Sequence, residues 1–195
     1  MRWVVFDFGE VISQRNPGIP GMAARLGVSV EAFEAVYWDR DAYDRGGSDA
    51  DYWGRIGSRL GVPVDVEELT ALDNAGWLAD PVPDTVALIA DLAAAGVPLA
   101  LLSNAPVTFA RLAEEEPWTE HFRHLVFSGD LGCAKPDAVI WQRLKDVVGS
   151  SDLVFYDDRQ VNVDGALAAG IDARLWTSAA AARVELRAEL GDLGA

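Results

Sequence analysis

The sequence predicts an α/β fold: a doubly wound, mostly parallel sheet carrying a small all-helical block after its first strand. Three observations predict it. Short apolar runs recur without alternation, as in strands buried on both faces. Helical patterns separate these runs and tend to stop at glycines. Between residues 16 and 80 the alternation breaks, and only helical patterns remain.

In chain order, Trp3-Val4-Val5-Phe6 is the first such run, ending at Asp7. The helical block follows, with patterns over Gly21–Leu26, Val30–Trp38, Asp49–Leu60 and Val66–Leu78 divided by Gly, Pro and Asp signals. Strand and helix then alternate. Thr85–Ala95 reads as a helix stopped by Gly96, Pro98–Leu102 as a strand, and Pro106–Glu116 as a helix. Leu125–Phe127 is the third strand, and Pro136–Val148 a helix stopped by Gly149. Leu153–Tyr156 is the fourth strand, before a helix over Val163–Ala169. Ala173–Trp176 and a helix over about Ala179–Leu190 complete the set, with partial fraying expected in the alanine-rich tail. This order is that of a doubly wound sheet. The expected division is a core of residues 1–15 and 81–195 with a cap of residues 16–80.

Composition narrows the function. A chain of 195 residues buries enough surface to fold without disulfides or a structural metal. Sixteen Lys and Arg against thirty-one Asp and Glu give a net charge of −15. That field repels nucleic acid and anionic membranes. The single cysteine, Cys133, excludes an internal disulfide and fits a reducing compartment. No apolar run approaches the ~20 residues of a spanning helix. The expectation is a cytoplasmic monomer or homodimer with a small-molecule partner.

In an open α/β sheet, ligands bind at the carboxyl ends of the strands. The strand ends therefore belong on one list: Asp7-Phe8-Gly9-Glu10 after the first, Ser103-Asn104 after the second and Asp157-Asp158 after the fourth. Gly132-Cys133-Ala134-Lys135-Pro136 follows the third. Two carboxylates ~4 Å apart repel by up to ~4 kcal/mol at an effective dielectric near 20. Three in one crevice call for a cation, and an all-oxygen site selects Mg²⁺ over Zn²⁺. A hydroxyl, backbone N–H groups and an ammonium beside it make a tetrahedral oxyanion pocket. Together these describe phosphoryl transfer, with a strand-end carboxylate as nucleophile in a chain lacking a Walker loop. Lys135 is one of only two lysines in an arginine-rich chain, which suits a compact point charge.

Four segments in order resemble the motifs of the haloacid dehalogenase-like (HAD) superfamily, in the branch with a helical (type C1) cap. They are Val4-Val5-Phe6-Asp7-Phe8-Gly9, Leu101-Leu102-Ser103-Asn104, Ala134-Lys135-Pro136-Asp137, and Phe155-Tyr156-Asp157-Asp158 continuing through Asn162 to Gly165 and Gly170. The resemblance covers nearly the whole chain and implies a Rossmann-like core. It implies that Asp7 attacks phosphorus and forms an aspartyl-phosphate. Asp158, Asp7 and the carbonyl of Gly9 would hold Mg²⁺, with Asp157 beside it or acting through water. Ser103, the Asn104 amide and Lys135 would hold phosphate, while the cap closes over the site and selects the leaving group.

One position departs from the pattern. Most phosphatases of this family carry an acid–base Asp two residues after the nucleophile, where this chain has Gly9. General acid–base catalysis is typically worth ~10²–10⁴-fold. The departure predicts a slow enzyme, one recruiting Glu10 or water, or an inactive phosphate-binding protein. Relatives with Gly here resemble sugar-phosphate phosphatases. The 2-haloacid dehalogenases also lack this Asp but use no metal, which leaves the pair Asp157-Asp158 unexplained.

Plainer readings stand beside these. Ser103 and Asn104 are good helix caps, Cys133 is a small bystander, and Glu114-Glu115-Glu116 is a solvated turn. Tyr37, Trp38, Tyr43, Trp53 and Trp77 are expected mostly in the core of a small cap. Arg40 and Arg45 are the cap's candidates for the substrate pocket.

Overall fold

The computed structural model describes residues 2–191. Five parallel strands form one sheet in the order β3-β2-β1-β4-β5. They are β1 (Trp3–Phe6), β2 (Leu99–Ser103), β3 (His124–Phe127), β4 (Leu153–Asp157) and β5 (Asp172–Leu175). β1 is central, with Val5 paired to Ala100 on one side and Phe155 on the other. The order reverses beside it, so the C-terminal ends of β1, β2 and β4 open on the switch point.

Both faces are buried, and residues on each strand alternate between them. Val4, Phe6, Leu99, Leu101, Val154 and Tyr156 pack with α6 (Pro83–Ala94), α7 (Val107–Ala113) and α11 (Ala179–Leu190). Val5, Ala100, Leu102, Leu153 and Phe155 pack with α9 (Ala138–Val148) and α10 (Gln160–Ala168). Burial on both faces is why the strands read as unbroken apolar runs.

Five helices stand between β1 and α6: α1 (Ile19–Leu26), α2 (Val30–Tyr37), α3 (Asp41–Asp44), α4 (Asp49–Leu60) and α5 (Val66–Leu78). Ser29, Ser48 and Asp65 cap α2, α4 and α5 by accepting from the backbone three residues on. The helices share their own core of Ile19, Met22, Phe33, Tyr37, Tyr43, Tyr52, Trp53, Ile56 and Leu69. Chain enters and leaves this block at one point. Val82 N donates to the Ile12 carbonyl at 2.7 Å, and Thr85 Oγ1 to the Val11 carbonyl at 2.9 Å.

Differences from the sequence expectations are local. α10 starts three residues before Val163, because the Asp157 side chain accepts the Arg159 N–H at 2.9 Å and opens the first turn. The short α3, α8 (Ser128–Leu131) and a 3-10 turn over Pro117–His121 carry too little periodicity to be read. Helix α11 runs to Leu190, and the end of the alanine-rich tail lies outside the described residues. Among the described residues, no helix is long and apolar enough to cross a membrane.

Candidate active site

Asp7 follows β1, and its N–H donates to the Tyr156 carbonyl at 2.9 Å, so sheet pairing fixes it. Two contacts fall on its Oδ1: the Phe8 N–H at 2.7 Å and Lys135 Nζ at 2.7 Å. Neither falls on Oδ2. Lys135 Nζ lies equally close, 2.7 Å, to Asp157 Oδ2 and donates to the Leu102 carbonyl at 2.9 Å. Three acceptors thus meet the three protons of one buried ammonium. Asp157 is held further by Asn162, whose Nδ2 lies 2.9 and 3.0 Å from its two oxygens.

Carboxylate oxygens of Asp7, Asp157 and Asp158 come within 4.8 Å of one another. Their charges repel, and only Lys135 among these four groups opposes them. Burial, resisted by Lys135 and assisted by Asp157, pushes the Asp7 carboxyl well above the usual carboxylate range. Burial, with Asp157 and Glu10 nearby, pushes Asp158 up to about 6. Burial alone would depress the Lys135 ammonium, but Asp157 and Asp7 outweigh it and raise its pKa. The donor set is all oxygen with two negative charges unmatched, so it fits a hard divalent cation.

Ser103, the last residue of β2, is buried at the same crevice. The Asn104 side chain faces a different task from that expected of its backbone amide. Its Nδ2 donates to the Lys135 carbonyl at 2.9 Å, and its Oδ1 accepts the Lys135 N–H at 2.8 Å. Gly165 supports the same loop from α10. A Cβ there would lie 2.8 Å from both Cβ and O of Pro136, so only glycine permits this approach.

A cavity of about 650 Å³ lies over this cluster, in the size range of small-ligand pockets. Asp7, Gly9, Glu10, Ser103, Asn104, Lys135 and Asp158 line it from the core. Arg15, Trp38, Arg40 and Trp77 line it from the cap side. Asp157 lies beneath, fully buried. Glu10 is exposed, with φ of 55°. Arg45 is not among the lining residues: it pairs with Asp41 at 2.9 Å and with Asp137 across the seam between helical block and core. The sequence reading missed Arg15, and it left Asn162 as part of a motif without a stated task. Both roles arise from partners distant in sequence or from side-chain orientation. Of the five cap aromatics, Tyr37, Tyr43 and Trp53 are core as expected, while Trp38 is 40% exposed.

A doubly wound sheet with a strand-end acid cluster, a buried lysine and a helical insert defines a class of α/β hydrolytic enzymes. The chain belongs to the haloacid dehalogenase-like hydrolases, whose family description matches residues 1–170. It is 25% identical over 191 residues to the sesquiterpene phosphatase astK of Aspergillus oryzae (strain ATCC 42149 / RIB 40), covering 96% of this chain and 95% of that protein. A HAD family enzyme of Bacteroides thetaiotaomicron, solved with magnesium and inorganic phosphate, superposes with a TM-score of 0.71. It is 18% identical, with 91% of this chain and 95% of that chain covered. The L-2-haloacid dehalogenase of Xanthobacter autotrophicus, with chloropropionic acid covalently bound, gives a TM-score of 0.72. Its identity is 19%, with 98% and 84% covered. At such identities the two structures speak for the fold.

Proposed function

We propose that this hydrolase is a Mg²⁺-dependent phosphomonoesterase acting on a small phosphate ester. The observation that carries the reading is the acid triad Asp7, Asp157 and Asp158, with oxygens within 4.8 Å around one lysine. The metal-free chemistry of a dehalogenase would leave the pair Asp157 and Asp158 unexplained. Asp7, Asp158 and the Gly9 carbonyl would hold the Mg²⁺, with Asp157 behind them, and the ion would supply neutralisation of the negative charge gathered at the site.

Each side chain has a defined task in this reading. Asp7 attacks phosphorus, forming a carboxyl–phosphate bond as the ester oxygen leaves with its electron pair. Water then attacks phosphorus, regenerating the Asp7 carboxylate and releasing phosphate. Lys135 holds the Asp7 oxygen that does not attack and offsets the transferred group's charge. Ser103 and the Asn104 N–H bind the phosphoryl oxygens, while the Asn104 side chain keeps Lys135 in place. At Gly9 no side chain protonates the leaving group, so Glu10 or water does so at a reduced rate. Residues 16–80 act as a cap domain over a core of 1–15 and 81–195, and the Ile12–Val82 hydrogen bond ties the two connections together. The name of the Aspergillus relative and the magnesium and phosphate of the Bacteroides structure support the reading.

Phosphate release from a panel of small esters, with Mg²⁺ or EDTA, tests it. Turnover that requires Mg²⁺ and is abolished by Asp7→Asn is expected. Halide release from 2-haloacids in EDTA would instead favour the dehalogenase, the reading that Gly9 permits. Binding of Mg²⁺ and phosphate without Asp7-dependent turnover would leave a phosphate-binding protein.

A further inference from the structure

The cap side of the cavity presents aromatic surface beside polar groups that are already committed. Trp77 lies directly over the nucleophile loop: a side chain starting at Gly9 would begin 3.8 Å from its Cζ3. Trp38 meets Trp77 edge to face at 6.3 Å and is 40% exposed. On the core side Pro106 and Phe109 continue the apolar lining. An indole left this open on a cavity wall is the informative case, since large aromatics otherwise bury.

Around these two indoles, several polar groups of the cap side are held by protein partners. Trp77 Nε1 donates to the Tyr37 hydroxyl at 3.0 Å. Arg40 is held by Asp73 at 3.0 Å and the Tyr52 hydroxyl at 3.2 Å, with Asp44 Oδ1 at 3.4 Å. Its guanidinium carbon also lies 5.0, 5.2 and 5.1 Å from the ring centroids of Tyr37, Tyr43 and Tyr52. Arg15 pairs with Glu34 at 2.7 Å and lies 4.9 Å from the Trp38 ring centroid. Asp44 Oδ1 is buried behind Arg40 without a hydrogen bond, and Glu10 and Arg159 line the cavity at its core side, while the two indoles stand on the cap side. Asp41 is taken by Arg45. A polyol laid against the Trp38 and Trp77 rings would turn hydroxyls onto aromatic carbon and lose their water there, whereas an apolar group gains from the same contact.

We propose that Trp38 and Trp77 form the leaving-group subsite, and that it takes an apolar alkyl, alkenyl or aryl group in place of a sugar. The absence of a side chain at Gly9 is part of this subsite, because it leaves the Trp77 indole open to the carbon nearest the ester oxygen. The inference rests on the phosphatase reading for its orientation, with phosphate at Asp7 and the organic group against the cap.

Binding of non-hydrolysable phosphonates by titration calorimetry with Mg²⁺ tests it independently of turnover. n-Octylphosphonate is expected to bind at least tenfold more tightly than the phosphonate analogue of glucose 6-phosphate. Trp38→Ala is expected to weaken octylphosphonate at least fivefold more than it weakens inorganic phosphate. Trp77→Phe, which keeps an aromatic ring, is expected to preserve the preference if Trp38→Ala proves unstable. Equal or tighter binding of the sugar analogue, equal losses for phosphate and octylphosphonate, or binding of neither phosphonate would overturn it. Ester hydrolysis run in parallel separates the two readings. Mg²⁺-dependent turnover that favours sugar phosphates sinks the subsite and keeps the phosphatase. Octylphosphonate preference with no turnover of any ester sinks the phosphatase and keeps the subsite.

Discussion

Asn104 and Lys135 are joined by a reciprocal pair of hydrogen bonds, the amide of one closing on the backbone N–H and C=O of the other at 2.8 and 2.9 Å. The loop after β2 therefore braces the loop that carries the lysine. Each such bond is worth about 0.5–1.5 kcal/mol net. Asn104→Ala is expected to lose roughly 1–3 kcal/mol in urea denaturation and to raise KM for phosphate esters. An unchanged urea midpoint would mean that the brace is not used.

The space at Gly9 admits a side chain, since its first atom would make an ordinary contact with Trp77. Gly9→Asp places a carboxyl where a leaving-group proton is needed. For alkyl esters, whose leaving groups need the proton, kcat is expected to rise about 10²-fold, from the typical range of general acid catalysis, and KM to rise with it because the new side chain stands in front of Trp77. Aryl esters with acidic leaving groups should gain far less. Steady-state kinetics on both substrate types checks this, and a uniform change would argue against a proton-transfer role.

Asp44 makes one contribution to the pH dependence of the cap's stability. Burial raises its carboxyl to about 6 from an ordinary 3.8, with Arg40 resisting and Asp73 assisting. The folded chain thus binds this proton more tightly than the unfolded chain, so stability falls as pH rises through about 6. Asp44→Asn, which imitates the protonated form, should be the more stable variant at pH 7.5, by up to about 3 kcal/mol. The advantage should fade towards pH 4. Urea unfolding across that range measures it, and a constant difference would remove Asp44 as the cause.

Gly165→Ala sets two effects against each other. Alanine favours an exposed helix interior by about 1 kcal/mol over glycine. Here its Cβ meets Pro136 at 2.8 Å, including a backbone oxygen that cannot rotate away. Overpacking of that kind typically costs about 1–3 kcal/mol, so a net loss is expected. The displaced Pro136 carries Lys135 with it, and kcat should fall alongside the denaturation midpoint.

What could be read from the sequence follows a physical divide. The sheet was legible because both faces of each strand are buried, which writes Val4-Val5-Phe6 and Leu153-Val154-Phe155 as unbroken apolar runs. The acid cluster was legible because a parallel sheet delivers its strand ends to one edge, bringing Asp7, Asp157 and Asp158 together. Asn104 was read in part, because residue type does not reveal whether side chain or backbone will serve a ligand. Arg15 and Arg45 were opaque for a further reason. Their positions depend on how helical block and core lean together, which pairs Arg45 with Asp137, 92 positions away in the chain. Short helices such as α3 and α8 have too few turns for a period to register.

The three contacts of the Lys135 ammonium also bear on what holds the acidic edge together. One lysine, supplied by the chain itself, joins Asp7 to Asp157 in the folded protein. The acidic edge therefore carries its own resident countercharge. On the phosphatase reading, a divalent cation would then bind a site whose acids Asp7 and Asp157 the lysine already holds together.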